Sequence, residues 1–124
     1  MSDEIFKDAD IELRVAMRDS ISKELYTESI DLTETTAVLL HKKQSLSGDL
    51  DTLVAEDGPW LARWTAGDMS WDAVTGTLTI NVSASDTEDL PHGKVVGKVI
   101  LLIRAKNDAG KQLGIETLLL DVKA

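Results

Sequence analysis

The run TLTINVSA from Thr77 to Ala84 constrains the fold more than any other part of the chain. Leu78, Ile80, Val82 and Ala84 fall on one side of an extended backbone, and Thr77, Thr79, Asn81 and Ser83 fall on the other. A period of two is the mark of a half-buried β-strand. The stretch it belongs to, Trp71 to Lys111, continues in the same idiom. Ser85-Asp86-Thr87-Glu88 has the capping-box order, a Ser followed three residues later by Glu, and Pro91 stops any helix soon after. One short helical turn is therefore expected near residues 86–90. From Lys94 to Lys106, Val95, Val99, Leu101, Ile103 and Ala105 share one face, and Val96, Lys98, Ile100, Leu102, Arg104 and Lys106 share the other. Ile100 and Leu102 among cations suggest a strand covered by a loop or by another chain, and a central sandwich strand reads the same way. Asn107-Asp108-Ala109-Gly110 then supplies turn residues for a hairpin into QLGIETLLLDVK.

Earlier in the chain, Ile11, Leu13, Val15 and Met17 alternate with Glu12, Arg14, Ala16 and Arg18, which predicts a first strand with one polar face. The ten residues before it read as an arm that carries Ile5 and Phe6. TTAVLLHKK, Thr35 to Lys43, is a further strand, entered through the turn Asp31-Leu32-Thr33. The Ser-, Gly- and Asp-rich segment from Gln44 to Gly58 suggests a long exposed loop or a short helix over Gly48 to Ala55. Trp60 and Trp64 are four residues apart, a spacing that suits a helical turn and a strand equally. Six or seven strands separated by turn clusters, with no βαβ rhythm, define the expected fold class. It is all-β: a single antiparallel immunoglobulin-like β-sandwich over residues 11–124, preceded by an N-terminal arm over residues 1–10.

Composition narrows the function classes. With 124 residues the chain has room for one ordinary domain, and without cysteine it uses neither disulfides nor thiolate metal sites. No apolar run approaches the roughly 18 residues of a membrane span, and the acidic start MSDEIFKDAD is unlike a signal peptide. A soluble protein made in the cytoplasm is expected. A net charge of −9 argues against neutralising nucleic-acid phosphates. The charge is uneven. Residues 44–90 hold nine acids against the lone Arg63, and residues 91–124 hold three acids and six bases. Solvated loops explain this, and so does a contact between copies in which acidic loops meet Lys94, Lys98, Arg104 and Lys106 of a neighbour.

No residue pattern nominates a catalytic, cofactor-binding or metal-binding site. His41 and His92 are isolated from other ligand types, and no nucleophile has a base and orienter in a recognisable motif. Asp49 with Asp51 lacks the spacing of a calcium loop, Glu56 with Asp57 carries no further ligand pattern, and Asp86 with Glu88 suits the start of a helix. Trp64 and Trp71 fit core or core-rim positions. Trp60, which follows Gly58-Pro59, suits either a subunit contact or stacking on a sugar ring.

Taken together, the order of these motifs resembles small tailed-phage virion proteins whose sandwich domain is similar to the N-terminal domain of baseplate upper proteins and of tail-fibre-associated proteins. The residues that carry the resemblance are Asp31-Leu32-Thr33 entering a strand, the alternating strand running into Ser85 to Glu88, Leu90-Pro91-His92-Gly93, and the hairpin Asp108-Ala109-Gly110. The chain departs from the pattern at Val95 and Val96, where an aromatic is usual. What the resemblance implies is a non-enzymatic virion structural protein of the tail, baseplate or fibre attachment, made in the host cytoplasm. It would bind other virion proteins and copies of itself. Capsid decoration of the head and a carbohydrate-binding module for host attachment are the alternatives. The candidate interface residues are Trp60, Val96, Ile100, Leu102, Ile5 and Phe6, with no cofactor, nucleic acid or membrane involved.

Overall fold

The computed structural model describes residues 3–6, 10–19, 21–41, 50–87, 98–110, 112–113 and 116–123. These residues form strands β1 (Asp3–Phe6), β2 (Ile11–Ala16), β3 (Ile30–His41), β4 (Ala62–Trp64), β5 (Met69–Asp72), β6 (Thr77–Val82), β7 (Lys98–Asn107) and β8 (Glu116–Lys123). Helices are confined to α1 (Leu50–Val54), α2 (Ala84–Thr87) and a single 3-10 turn at Ala66–Asp68. The strands make a long sheet in the order β1-β8-β7-β3-β4 and a short sheet in the order β2-β6-β5. The fold is therefore the expected all-β sandwich. Every strand pairing is antiparallel except that of β1 with β8, which is parallel.

Alternation in the sequence explains the main core. Leu78, Ile80 and Val82 of β6 and Leu13 and Val15 of β2 point inward from the short sheet. They meet Ala37 and Leu39 of β3, Trp64 of β4, Val99, Leu101, Ile103 and Ala105 of β7, and Leu120 and Val122 of β8. Each large aliphatic side chain removed from water in this way contributes roughly 1.5–3 kcal/mol before entropy is counted. In β3 the alternation disappears, because all six residues from Thr35 to Leu40 are buried. Val38 and Leu40 enter a second cluster on the outer face of the long sheet, with Leu53, Val54 and Leu102. Both faces of this strand are covered.

Three expectations change in detail. Residues 3–6 are not a separate arm: β1 extends the long sheet, with Asp3 opposite Leu120 and Phe6 opposite Lys123. The helical turn occupies Ala84–Thr87, and residues 88–90 lie outside the described ones. Its start is fixed by Ser83 and Asp86 in place of Ser85 and Glu88. The Asp86 carboxylate accepts the Ser83 N–H at 3.0 Å, and the Ser83 carbonyl accepts the Asp86 N–H at 3.0 Å. The shorter Asp86 carboxylate thus supplies one half of the capping-box pattern, while the other bond runs to the Ser83 backbone carbonyl in place of its hydroxyl. The Asp31-Leu32-Thr33 turn lies inside β3 as a bulge, where Asp31 faces Lys106 and Thr36 already faces Arg104. The Asp31 carboxylate accepts the Thr33 N–H at 3.0 Å, and the Thr35 hydroxyl donates to the Asp31 carbonyl at 2.9 Å. Side chains thus satisfy the backbone where the ladder is interrupted.

One end of the sandwich is closed by Tyr26, Trp71 and Gly76. The rings of Tyr26 and Trp71 lie 6.2 Å apart with a tilt of 38°. The Trp71 indole N–H donates to the Glu28 carbonyl at 2.8 Å and the Tyr26 hydroxyl to the Ser29 carbonyl at 3.0 Å. Burial, reinforced by nearby Glu28, holds the Tyr26 hydroxyl above its ordinary pKa. Gly76 has φ 65°, and its carbonyl accepts the Met17 N–H at 2.9 Å. A Cβ there would stand 2.5 Å from the Tyr26 carbonyl oxygen. Gly76→Ala should lower unfolding stability by about 2 kcal/mol or more, from left-handed strain and this clash together. Gly110 has φ 81° with open space around it. Gly110→Ala should lose only about 1 kcal/mol. Equal losses in urea unfolding would contradict the contact at Gly76.

Candidate functional site

The outer face of the long sheet holds most of the residues that the sequence nominates for an interface. Helix α1 lies across it, placing Leu53 and Val54 on Val38, Leu40 and Leu102, with Leu50 and Trp60 packed at the margin. A five-residue helix has almost no stability of its own, so its position depends on tertiary contacts. Four polar contacts fix it. The Arg104 guanidinium on β7 forms an ion pair with Asp51. Arg63 Nε on β4 donates to the Val54 carbonyl at 2.7 Å. Trp60 Nε1 donates to the Ala55 carbonyl at 2.6 Å, and the Gly58 N–H reaches the same oxygen at 3.0 Å. Arginine and indole donors thus satisfy carbonyls that the end of the helix leaves unpaired.

This arrangement moves two nominated residues inward. Leu102 is 1% exposed, so it belongs to the covered part of the face. Trp60 is partly buried, and its N–H is spent within the chain, so it serves to hold α1 down. Of the explanations open for Leu102, cover by a loop of the same chain is the one observed. Ile100 is half-buried and lies opposite Leu119, which is 41% exposed. Together they leave an apolar row beyond the reach of α1. Ile5 and Phe6 sit on β1 opposite Val122 and Lys123. Val96 lies outside the described residues.

The cations proposed to meet a neighbour's acidic loops are partly engaged at home. Arg104 pairs with Asp51, and Lys106 Nζ lies 3.6 Å from the Glu34 carboxylate. Lys94 lies outside the described residues. The Arg104 Nε is buried without a hydrogen-bond partner among the described residues, a cost that its ion pair offsets.

A concavity of about 670 Å³ opens at one end of the sandwich, lined by Asp10, Glu12, Arg63, Trp64, Asp68 and Asp86 among others. Three of its carboxylates act on the protein's own backbone, while Glu12 pairs with the Arg14 side chain. Asp10 accepts the Ala84 N–H at 2.8 Å, and Asp68 accepts the Thr65 N–H at 3.3 Å. Asp86 accepts the buried Trp64 indole N–H at 3.0 Å as well as the Ser83 N–H. Acceptors used in this way orient loops, and nothing in the geometry pairs them as acid and base. No group of three or more potential metal ligands occurs among the described residues. His41 is exposed at the end of β3, and His92 lies outside the described residues. Among the described residues no helix is long and apolar enough to cross a membrane.

Trp64 lies in the core and Trp71 packs at its rim, as their size leads one to expect. The roles of Arg63 and Arg104, and the bond from Trp64 to Asp86, are not visible from local patterns. The one available hint was a lone arginine in an acidic stretch. In comparisons with known proteins, no family model, no curated protein and no solved structure matches the chain.

Trp60→Ala should release α1 while leaving the main core intact. We expect a loss of about 2 kcal/mol in unfolding stability, below that of a fully buried Trp, together with increased binding of a hydrophobic dye as Val38, Leu40 and Leu102 become accessible. Unchanged stability and dye binding would show that Trp60 does not hold the cover.

Proposed function

We propose that this chain is a non-enzymatic structural protein of a tailed-phage virion, working in the tail, baseplate or fibre attachment through contacts with other proteins. The observation that carries the reading is the order of the turn motifs, which resembles that of small virion sandwich proteins. Two of these lie among the described residues, and each shapes the fold. Asp31-Leu32-Thr33 forms the bulge of β3, and Asp108-Ala109-Gly110 turns β7 into β8, with the Gly110 N–H donating to the Asn107 carbonyl at 2.9 Å.

Surface character supports the same reading. Asp10 and Asp86 of the end concavity serve the fold's own loops, whereas sheet edges and apolar side chains, the Ile100–Leu119 row among them, stay exposed. Such features suit a part that is held by neighbours. Trp60, the residue best suited by sequence to stack on a sugar, has its N–H engaged and part of its surface packed on the α1 cluster. This favours protein partners over a glycan.

Mass spectrometry of purified virions, followed by cryo-EM localisation, tests the proposal. The chain should be present in several copies per particle at the tail or baseplate. Density on the head shell would make it a capsid decoration protein, and absence from particles would contradict the virion role.

A further inference from the structure

Four strands end the two sheets among the described residues: β1 and β4 in the long sheet, β2 and β5 in the short one. At six residues, β2 is the longest of them; β1 and β5 have four and β4 has three. It carries no Pro and no bulge, and its two charged side chains, Glu12 and Arg14, are of opposite sign, so a second copy can meet them where a like charge would repel. Its free backbone groups can be assigned. Continuing the β2–β6 register sets Met17 opposite Gly76, and the Met17 N–H donates to the Gly76 carbonyl at 2.9 Å. Antiparallel pairs alternate between bonded and non-bonded, so Ile11, Leu13 and Val15 spend their main-chain groups on β6. Glu12, Arg14 and Ala16 turn theirs toward the open edge.

We propose that this edge pairs antiparallel with β2 of a second copy of the chain, about a two-fold axis through Leu13. Outward-facing residues must oppose outward-facing residues, which excludes every register that sets an even position against an odd one. Two registers remain with the fullest overlap of the strand. An axis through Arg14 sets Arg14 directly against its own copy, and like charges at that spacing repel. An axis through Leu13 sets Glu12 against the partner's Arg14, and Arg14 against the partner's Glu12. On the inner face it places Leu13 beside the partner's Leu13, and Ile11 beside the partner's Val15. Charge complementarity therefore selects one register.

The surroundings suit such a contact. Arg14 and Glu12 now pair within one strand at 3.1 Å, with side chains 71% and 55% exposed, so the bond is weak and easily exchanged for one across the axis. Beside β2 an opening of about 180 Å³ lies between the sheets, lined by Leu13, Val15, Leu101, Leu118 and Leu120. A second copy on the edge would cover it with the same apolar residue types. A single strand pair makes a small interface, so the dimer is weak in dilute solution and useful where copies are held close. The pairing rests on the open edge and stands whether or not the chain is a virion component.

Sedimentation velocity over a concentration series and amide hydrogen exchange test it on the intact chain. We expect a dimer with a dissociation constant of roughly 100 µM. The Glu12 and Arg14 amides should become protected as concentration rises, while those of Leu13 and Val15 are protected throughout. Arg14→Glu or Glu12→Arg alone should weaken the dimer about tenfold, and the two together should restore it to within about threefold. Both positions are exposed, so near-ultraviolet circular dichroism should show the variants folded. A chain that stays monomeric into the millimolar range overturns the proposal. So does a dimer indifferent to the single reversals, or one that the double reversal does not restore.

Discussion

The structure depends on the pairing of β3 with β7 at the centre of the long sheet. Ala37, Leu39, Leu101 and Ile103 face the short sheet, while Val38, Leu40 and Leu102 face away from it. A strand apolar on both sides cannot sit at the surface of a two-layer sandwich, since its outer face would lie open to water. The chain meets this constraint with a third, partial layer made of α1 and Trp60. The five-residue helix is held by arginines from the strands on either side of β3, Arg63 on β4 and Arg104 on β7.

That cover decides what is left for other molecules. Where it ends, Arg104 keeps a buried Nε without a partner among the described residues, and Ile100 with Leu119 remains as an apolar row. In the concavity at the end of the sandwich, Asp10, Asp68 and Asp86 each receive backbone or indole N–H groups. Asp86, one of the acidic residues weighed for chemistry in the sequence, is thus part of the loop architecture. The edges of the sheets and the Ile100–Leu119 row are what the cover leaves exposed, and the proposed role in assembly rests on them.

Much of this fold can be read from the sequence, and the reasons for the failures are physical. Leu78, Ile80 and Val82 alternate because β6 has one wet face, and the reading holds residue by residue. In β3 both faces are buried, so the period of two vanishes, and TTAVLLHKK marks the strand without showing what covers it. The choice of helix or strand for Trp60 and Trp64 had no local answer. Pairing of Ala62, Arg63 and Trp64 with β3 makes Trp64 a strand residue and leaves Trp60 outside the strand, and that contact is remote in sequence. Asp86 was correctly placed at a helix start by its charge, yet its bond to Trp64 spans 22 residues. Leu102 was nominated for a partner because the sequence shows an apolar residue between cations. Its cover, Leu53 and Val54, comes from a segment that reads as loop or short helix.

Native-state hydrogen exchange under increasing denaturant tests the central role of β3 and β7 most directly. The account predicts that amides of Ala37 to Leu40 and Leu101 to Ile103 exchange only through global unfolding, with a single shared free energy. Those at the end of α1 should open earlier, by a local route. If the β3 and β7 amides exchanged together with α1 at low denaturant, the pair would not be the element on which the rest depends.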